Sequence, residues 1–422
     1  MMSTSSLNPY QGNILVDGLG PILSPPDVVE ALTHLPPLPP SMDGVPVHVR
    51  THLLLDVLDL HLPPLIERRL QHSVDLMIRR TLNNRAPQRA ETWSFISGEA
   101  QRRGVSPPAA MAACVEGISG VGKTQGCQRC LSLYREQVIK HDTFPGLVGS
   151  HQQVVYQSIE VPPSGTATDL ARALMLAWSE TTGSSRFHKQ VTLEKLHGQQ
   201  ALMQWRQVAG SHFLALLHLD EVQNFFKLST LEQRRARRQG AEPPELSIVE
   251  DLTLRWLMSL TNSGQIALLL SGTPDGIGAL TKRLGILARV NTGGYHAFER
   301  LALDVELQGK SSSFLAVLSL YQYVRNPIAM NDKLIRLIFQ LTAGVQRIVI
   351  ALWIAAHRVA FERKADNLCM EDFAVAARTW LAPLQNAVAA LNSGDAVKMA
   401  RFEDLIPRDT AFWTNFWSSA TS

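Results

Sequence analysis

Hydrophobic positions follow different periods in successive parts of the chain. The first 48 residues are rich in proline, which favours an irregular arm with at most one short helix, at 26–32. From residue 48 to residue 83 apolar side chains recur at helical spacing and predict two helices, interrupted at Pro63 and Pro64. We therefore assign residues 1–90 to an N-terminal arm and a helical unit.

Short apolar runs alternate with longer helical patterns between residues 91 and 307. The runs that we interpret as strands lie at 109–115, 154–161, 213–219 and 266–270. Strands that alternate with helices in this way predict a parallel sheet covered by helices. The expected fold class is α/β, and residues 91–307 form its base domain.

Helical patterns alone remain after about residue 308, at 312–323, 332–341, 345–363 and 370–392. Residues 308–392 are therefore predicted to form a helical domain. The remaining residues, 393–422, form a tail that carries Phe402, Phe412, Trp413, Phe416 and Trp417. Because Trp and Phe supply much contact area per residue, this tail is either a docking peptide for a partner or a helix folded back on the helical domain.

Composition restricts the class of protein only broadly. The chain has 422 residues, 45% of them hydrophobic, and a formal net charge of +3 that neither requires nor excludes nucleic acid as a partner. It lacks a run of about 18 uncharged apolar residues and the pattern of a secretory signal, so we expect no membrane span. Its 4 cysteines are too few for a disulfide framework, which favours a cytoplasmic location.

Residues 117–124, Gly-Ile-Ser-Gly-Val-Gly-Lys-Thr, match the phosphate-binding pattern G-x-x-x-x-G-K-[ST]. A candidate strand ends just before them, and a predicted helix at 125–141 follows, as this pattern requires. Glycines let backbone N–H groups turn toward the β-phosphate, and the start of the helix adds partial positive charge. The alternative, an ordinary glycine-rich turn, explains the match less well.

This motif predicts ATP and Mg²⁺ as cofactors. Lys123 is placed to neutralise β- and γ-phosphate oxygens, and the Thr124 hydroxyl to ligate Mg²⁺. The residues expected to contact the nucleotide are Gly117, Ser119, Gly120, Val121, Gly122, Lys123, Thr124 and Gln125.

Two adjacent carboxylates, Asp220 and Glu221, follow the candidate strand at 213–219. Delivering both to the end of a buried strand is unfavourable unless a cation lies there, and sites of open α/β sheets lie at those strand ends. We predict that Asp220 holds Mg²⁺ and that Glu221 orients or deprotonates the attacking water. The alternative is that the pair caps a following helix.

A hydroxyl follows the candidate strand at 266–270 and is placed to sense the γ-phosphate through the attacking water. Thr273 is our first choice for this role and Ser271 the second. A turn closed by Gly272 and Pro274 explains the same residues equally well.

With these motifs the chain resembles AAA+ ATPases and, among them, the TnsC/TniB family of transposition regulators. The resemblance implies an AAA+ P-loop ATPase fold, in which helices flank a central parallel sheet, with a C-terminal helical lid and an N-terminal helical extension. It rests on residues 117–124, on His-Leu-Asp-Glu-Val-Gln at 218–223, on Leu-Leu-Leu-Ser-Gly-Thr-Pro at 268–274, and on the shorter stretches 295–301 and 344–347.

The resemblance also implies a function. Members of this family bind ATP at subunit interfaces and assemble as rings or filaments on duplex DNA, without sequence preference. They connect a target-selection protein, here of the TniQ type, to a DDE transposase, and slow ATP hydrolysis controls the assembly. A AAA+ replication initiator or helicase loader is the alternative, and a sensor ATPase without a DNA partner is a third hypothesis.

The resemblance further implies two arginines at the nucleotide. Arg347 would contact the γ-phosphate of its own subunit, and an arginine from 281–300 would reach the nucleotide of a neighbour and stabilise charge on the transferred group. Arg289 is our first choice for the second role and Arg283 the next, while Arg300 is expected to end the fifth strand. A solvated surface arginine is an equal alternative for each.

Phosphate contacts with DNA are predicted from Thr166, Thr168, Arg186 and Lys189, because hydroxyls and cations suit sequence-independent binding. The basic run 234–238 is either a further DNA contact or a solvated loop. Cys127 and Cys130 have zinc-like spacing, but no second pair lies nearby, so packing in the core is the favoured interpretation.

Overall fold

The structure, a computed structural model, describes residues 8–96, 110–227, 247–283 and 292–394. The N-terminal helices are α1 (Ile14–Asp17), α2 (Pro25–Leu32), α3 (Val47–Leu53), α4 (Leu65–Asn84) and α5 (Ala90–Ile96), with a 3-10 helix at Leu54–Asp59. The strands are β1 (Ala112–Glu116), β2 (Val138–His141), β3 (His151–Val154), β4 (Tyr156–Glu160), β5 (Leu216–Asp220), β6 (Phe226–Lys227), β7 (Ser247–Ile248), β8 (Ala267–Gly272) and β9 (Gly294–Ala297).

The remaining helices flank the strands or follow them. Those of the base domain are α6 (Lys123–Ser132), α7 (Ala167–Thr182), α8 (His188–Val191), α9 (Gly198–Ser211), α10 (Asp251–Asn262) and α11 (Pro274–Arg283), with a 3-10 helix at Val222–Phe225. Those of the C-terminal helical region are α12 (Leu303–Leu307), α13 (Phe314–Leu318), α14 (Asp332–Thr342), α15 (Gln346–Phe361), α16 (Met370–Thr379) and α17 (Gln385–Ser393), with a 3-10 helix at Ala382–Leu384.

A parallel sheet with the strand order β4-β5-β8-β1-β9 forms the centre of the described base domain. Cys114 of β1 pairs with Leu270 of β8 on one side and with Tyr295 of β9 on the other. After β1 the chain therefore crosses to the far edge of the sheet, where it forms β4, and it comes back beside β1 only with β8. Ligands of open α/β sheets bind outside the carboxyl ends of the strands at such a reversal of strand order. The expected α/β fold is confirmed.

The N-terminal residues pack on both parts of the molecule. Helix α4 lies against α6 and β9 and buries Leu70, Val74 and Met77 completely in the core of the base domain. Residues 35–60, which we call the N-terminal strap, instead bury Leu54 and Val57 in the core of the C-terminal helical region. Backbone hydrogen bonds between His34 and His61 join the two ends of the strap.

Side chains also fasten the strap to the C-terminal helices. The buried Arg50 forms an ion pair with the half-buried Asp366, at 2.7 Å between Nη1 and Oδ1. The Tyr321 hydroxyl donates a hydrogen bond of 2.7 Å to the carbonyl oxygen of Pro36. The strap is thus a covalent link that spans the base domain and the C-terminal helical region.

Four helix predictions were wrong. Of the helix predicted at 312–323 only α13, Phe314–Leu318, forms. The helix predicted at 125–141 ends at Ser132, and Val138–His141 forms β2, which pairs antiparallel with β3. The N-terminal arm contains α1 as well as α2, because the Asn13 side chain accepts a hydrogen bond from the Leu15 amide and caps it. The helix predicted at 370–392 breaks between α16 and α17, at a 3-10 helix that contains a proline.

Among the described residues no single helix has the length and apolar composition needed to cross a membrane. Helices α14 and α15 meet those criteria only together, as a pair bent by 114°.

Candidate functional site

The loop between β1 and α6 has a shape that depends on glycine. Gly120 and Gly122 have φ of 87° and 98°, the left-handed region that side chains with a Cβ rarely adopt. A Cβ on Gly117 would lie 2.7 Å from the carbonyl oxygen of Phe298. The amide of Gly117 donates to the carbonyl oxygen of Gly272 at 3.3 Å, so the loop starts beside the end of β8.

Lys123, the first residue of α6, is buried, with 4% of its surface exposed. Burial lowers the pKa of its ammonium group, and the nearby charges of Glu221 and Asp220 oppose that shift, while Arg347 adds to it. The structure therefore places the lysine of the motif beside both carboxylates that follow β5. A buried ammonium group next to a glycine-rich loop, whose backbone N–H groups can turn toward an anion, is the arrangement that phosphate binding requires.

Asp220 receives several hydrogen bonds at the end of β5. The Thr124 hydroxyl donates to Oδ2 at 2.6 Å, the Ser271 hydroxyl donates to Oδ1 at 2.5 Å, and the Glu221 amide donates to Oδ1 at 3.0 Å. Burial by itself would raise the pKa of this carboxyl, but His218, these hydroxyl donors and Lys123 outweigh it and hold the pKa below its usual value. Asp220 is therefore ionised at neutral pH.

A polar network continues from Asp220 into the sheet. His218 Nε2 lies 2.8 Å from Ser271 Oγ, and His218 Nδ1 lies 2.8 Å from Ser158 Oγ. Burial lowers the pKa of His218, so the ring is neutral. Because Ser271 uses its proton on Asp220, Nε2–H must donate to Ser271 and Nδ1 must accept from Ser158.

The roles of Ser158 and His218 were not predicted from the sequence. One signal was present, since His218 is a polar side chain in an apolar run and lies two residues before Asp220. Residues two apart on a strand share a face of the sheet. The contact with Ser158 of β4 depends on strand order, which no local pattern reveals.

Glu221 lies at the turn after β5 with a φ of 56°, in the left-handed region. The side-chain amide of Gln223 donates a hydrogen bond to Glu221 Oε2. The Gln223 Oε1 atom accepts a hydrogen bond of 3.1 Å from the amide of Thr273. Gln223 thus joins the carboxylate to the end of β8, and the sequence analysis did not single it out.

Thr273 and Ser271 have different environments. The Ser271 side chain is completely buried and hydrogen-bonded to Asp220 and His218. Thr273 lies at the start of α11, where its Oγ1 accepts a hydrogen bond of 3.4 Å from the Gly276 amide. Of the two hydroxyls, that of Ser271 is committed to the carboxylate, which leaves Thr273 as the candidate sensor.

The C-terminal helical region reaches the glycine-rich loop through the start of α15. The amide of Arg347 donates to the carbonyl oxygen of Gly120 at 3.1 Å. A Cβ on Gly120 would lie 3.0 Å from Val345 and 3.3 Å from Arg347. Burial lowers the pKa of Arg347 and the charge of Glu221 opposes that shift, so the guanidinium lies near the same carboxylate.

The oxygen atoms of Thr124 and Asp220 suit magnesium shared with a nucleotide. Among the described residues there is no group of three or more His, Cys, Asp or Glu side chains that could hold a metal ion. Mg²⁺ usually takes one or two protein oxygens and fills its remaining positions with phosphates and water. The donor set at the end of β5 therefore fits Mg²⁺ bound together with a triphosphate.

The arginines proposed to act on a neighbour are only partly described. Arg289 lies outside the described residues, as do the run 234–238 and the aromatic tail. Arg283 is the last residue of α11. Strand β9 ends at Ala297, so the prediction that Arg300 ends the fifth strand was wrong. The Arg300 Nη1 atom donates to the carbonyl oxygens of Ala343 at 3.1 Å and Leu391 at 3.3 Å, so it binds helix ends of its own chain.

The four residues predicted to contact DNA lie on α7 and on the segment that follows it. Thr166 caps α7 by accepting from the Asp169 amide, and Thr168 donates to the carbonyl oxygen of Leu196 at 3.5 Å. Arg186 and Lys189 are exposed, and α8, which carries Lys189, packs against α7.

Cys127 and Cys130 are free thiols that pack in the core. Both are completely buried on α6, among residues of α4 and the sheet. This agrees with the packing interpretation of their spacing.

A family model described as an AAA domain matches residues 109–280, which is less than half of the chain. Among the solved structures that match, two resemble most of the chain weakly. One is Drosophila ORC bound to DNA, with a TM-score of 0.44, 13% identity, and coverage of 90% of this chain and 75% of that chain.

The other is the Aeropyrum pernix ORC1 protein in complex with DNA, with a TM-score of 0.40, 14% identity, and coverage of 82% and 76%. Scores this low support no inference about a ligand or partner. No curated protein sequence matches the chain. The match at residues 109–280, together with the parallel sheet and the glycine-rich loop, identifies the chain as one that contains an AAA domain with the fold of AAA+ P-loop ATPases.

Proposed function

We propose that this protein is a cytoplasmic ATPase that regulates DNA transposition by assembling as an oligomer on duplex DNA. The observation that carries the ATPase part is the meeting of Thr124 and Asp220 beside Lys123. The transposition part rests on the resemblance of residues 117–124, 218–223 and 268–274 to the TnsC/TniB family. Each part is tested separately below.

In the proposed mechanism the triphosphate lies between the glycine-rich loop and the end of β5. Backbone N–H groups of residues 117–124 and the Lys123 ammonium bind its β- and γ-phosphates. Thr124 and Asp220 would hold Mg²⁺, which would supply positive charge that neutralises the phosphate oxygens.

Glu221 then orients or deprotonates the attacking water. Its carboxylate lies near Lys123 and Arg347, since it raises the pKa of both. Arg347 contacts the γ-phosphate within the subunit, and Thr273 hydrogen-bonds the attacking water. An arginine of a neighbouring subunit, with Arg289 as our first candidate and Arg283 as the second, stabilises charge on the transferred phosphoryl group.

ATP hydrolysis in this proposal is slow and controls the assembly. The oligomer, a ring or filament, binds DNA through phosphate contacts without sequence preference. It connects a target-selection protein of the TniQ type to a DDE transposase. Nucleotide couples to assembly only if it binds the assembled state more tightly than the free subunit.

Electron microscopy of the protein with duplex DNA tests the assembly. We expect rings or filaments on DNA with a non-hydrolysable ATP analogue and none without nucleotide. Lys123→Ala should lose nucleotide binding and therefore assembly, whereas Lys189→Ala should keep nucleotide binding. Assembly on DNA that is equal with and without nucleotide in the parental protein would contradict an ATP-controlled regulator.

The transposition role is tested with the genes that neighbour this reading frame. A DDE transposase encoded beside it would support the proposal, and purified transposase should then bind the DNA-bound oligomer but not the Lys123→Ala variant. A replicative helicase in place of a transposase, bound in the same assay, would instead identify a helicase loader.

A further inference from the structure

The Gln223 side chain lies between the proposed catalytic carboxylate and the turn after β8. Its amide nitrogen donates to Glu221 Oε2 and its amide oxygen accepts from the Thr273 amide at 3.1 Å. The residue is buried, with 7% of its surface exposed. A primary amide carries a donor and an acceptor on one planar group, and both are used here.

Two glycines leave room for this side chain. A Cβ on Gly272 would lie 2.6 Å from Gln223 Oε1, and a Cβ on Gly276 would lie 2.5 Å from Gln223 Cβ. Both distances are too short for any real contact, so the turn after β8 accommodates Gln223 only because these positions lack side chains. The turn after β8 therefore packs closely against Gln223 at two points, the amide oxygen and the Cβ atom.

Glu221 needs such a contact because its backbone conformation alone does not fix the orientation of its side chain. A glutamate in the left-handed region is uncommon, and such residues persist where their surroundings hold them. The amide of Glu221 donates to Asp220 Oδ1, and Asp220 Oδ2 accepts from the Thr124 hydroxyl of the glycine-rich loop. The hydrogen bond from Gln223 thus fixes the Glu221 carboxylate at the end of β5, beside that loop.

We propose that Gln223 is a positioning residue, which fixes the Glu221 carboxylate that acts on the attacking water and couples its position to that of the Thr273 turn. This inference rests on the proposed function, in which Glu221 acts on the attacking water. It adds a route by which a shift of Thr273, the candidate γ-phosphate sensor, changes the direction of the catalytic carboxylate.

Steady-state ATP hydrolysis and nucleotide binding by Gln223 variants test this role. Gln223→Ala removes both hydrogen bonds, and Gln223→Glu keeps the size of the side chain but replaces the donor with a carboxylate oxygen. General bases contribute about 10²- to 10⁴-fold to rates, so we expect both variants to lower kcat by roughly tenfold or more. The Kd for a non-hydrolysable ATP analogue should stay within about twofold of the parental value, because the side-chain hydrogen bonds of Gln223 go to Glu221 and Thr273.

Gln199→Ala on the exposed face of α9 is the matched control and should leave kcat and Kd unchanged. A parental kcat in Gln223→Ala or Gln223→Glu would overturn the proposal. So would equal losses of nucleotide binding and kcat in both variants, since that pattern indicates a structural role.

A double-mutant cycle tests the coupling to the turn. Gly272→Ala should lower kcat because its Cβ displaces the Gln223 amide. In the Gln223→Ala background the same substitution should cost less, because the displaced oxygen is absent. If the double variant loses kcat by the product of the two single-variant factors, the coupling is contradicted.

Glu221→Gln separates this inference from the proposed function. If Glu221→Gln hydrolyses ATP at the parental rate, the catalytic assignment of Glu221 is wrong and the role of Gln223 is overturned with it. If Glu221→Gln is inactive while Gln223→Ala retains the parental kcat, only the inference about Gln223 fails.

Discussion

The Thr124 hydroxyl donates a hydrogen bond of 2.6 Å to Asp220 Oδ2. This bond joins the first turn of α6 to the end of β5, two elements that are far apart in the sequence. Both oxygens are candidate Mg²⁺ ligands, so this hydrogen bond holds the two candidate ligands of the protein next to each other. The other carboxylate oxygen is held by Ser271, which in turn contacts His218, so the orientation of the carboxylate is fixed from within the sheet.

Asp220→Asn should therefore weaken Mg²⁺-dependent nucleotide binding while the protein stays folded. The amide keeps the shape of the side chain but loses its charge and one acceptor oxygen. We expect the Mg²⁺-dependent part of ATP affinity to fall about tenfold or more, since changes even to partners of metal ligands cost that much.

Titration of a fluorescent ATP analogue, with Mg²⁺ and with chelator, measures this effect. Asp17→Asn on the exposed surface of α1 is the control and should behave as the parental protein. An Asp220→Asn variant that gains as much affinity from Mg²⁺ as the parental protein would remove Asp220 from the metal site.

Glu221→Gln should bind ATP with parental affinity but hydrolyse it about 10²- to 10⁴-fold more slowly, because an amide cannot accept the proton of the attacking water. Assemblies on DNA should persist after ATP is added, in place of the transient ones of the parental protein. Phosphate release and the lifetime of DNA-bound oligomers are the two measurements. Glu30→Gln on the exposed face of α2 serves as the control. If Glu221→Gln hydrolyses ATP slowly but its DNA-bound oligomers are still short-lived, ATP hydrolysis does not drive their disassembly.

The parts of the site that lie within one contiguous motif were predictable from the sequence. The sequence identified residues 117–124 because their glycines and lysine have a fixed spacing after an apolar run. It identified Asp220 and Glu221 because two adjacent carboxylates follow another apolar run. The order of those runs also predicted the parallel sheet, which the structure confirms.

Contacts between distant segments were not predictable in this way. Gln223 meets Thr273 only because β5 and β8 are neighbours in the sheet, and no local pattern encodes that pairing. Strand β2 was mistaken for the end of a helix, because four residues are too few to distinguish the two periodicities. The packing of the N-terminal strap on the C-terminal helical region was likewise not predictable. Its apolar residues are equally compatible with a separate helical unit and with the core of that region.

Arg186 and Lys189 remain predicted DNA contacts, and a double substitution tests them. If both neutralise phosphates, Arg186→Ala with Lys189→Ala should lower DNA affinity and reduce the slope of log K against log salt concentration by roughly 2. Lys333→Ala with Arg336→Ala removes two exposed cations from α14 and is the matched control. DNA affinity and salt slope that are unchanged by the first pair would exclude these residues from the interface.

The ion pair between Arg50 and Asp366 leads to a prediction about pH and stability. Burial by itself would raise the pKa of Asp366, but the hydrogen bonds and charges of Arg50 and Arg325 outweigh it and lower the pKa. A carboxyl whose pKa is lower in the folded state stabilises that state above its unfolded pKa of about 3.9, and the contribution is lost as the pH falls through the folded value.

Asp366→Asn should therefore reduce the free energy of unfolding at pH 7 by about 1.5–3 kcal/mol, the usual worth of hydrogen bonds to charged groups. Near pH 3, which is below the unfolded pKa, the parental protein and the variant should differ less, because part of this contribution to stability is already lost there. Urea unfolding followed by tryptophan fluorescence measures both values, and Trp353 reports on the affected core, since its indole N–H donates to the carbonyl oxygen of Tyr321. A difference that is as large at pH 3 as at pH 7 would mean that the variant disturbs packing and that the charge of Asp366 does not fasten the strap.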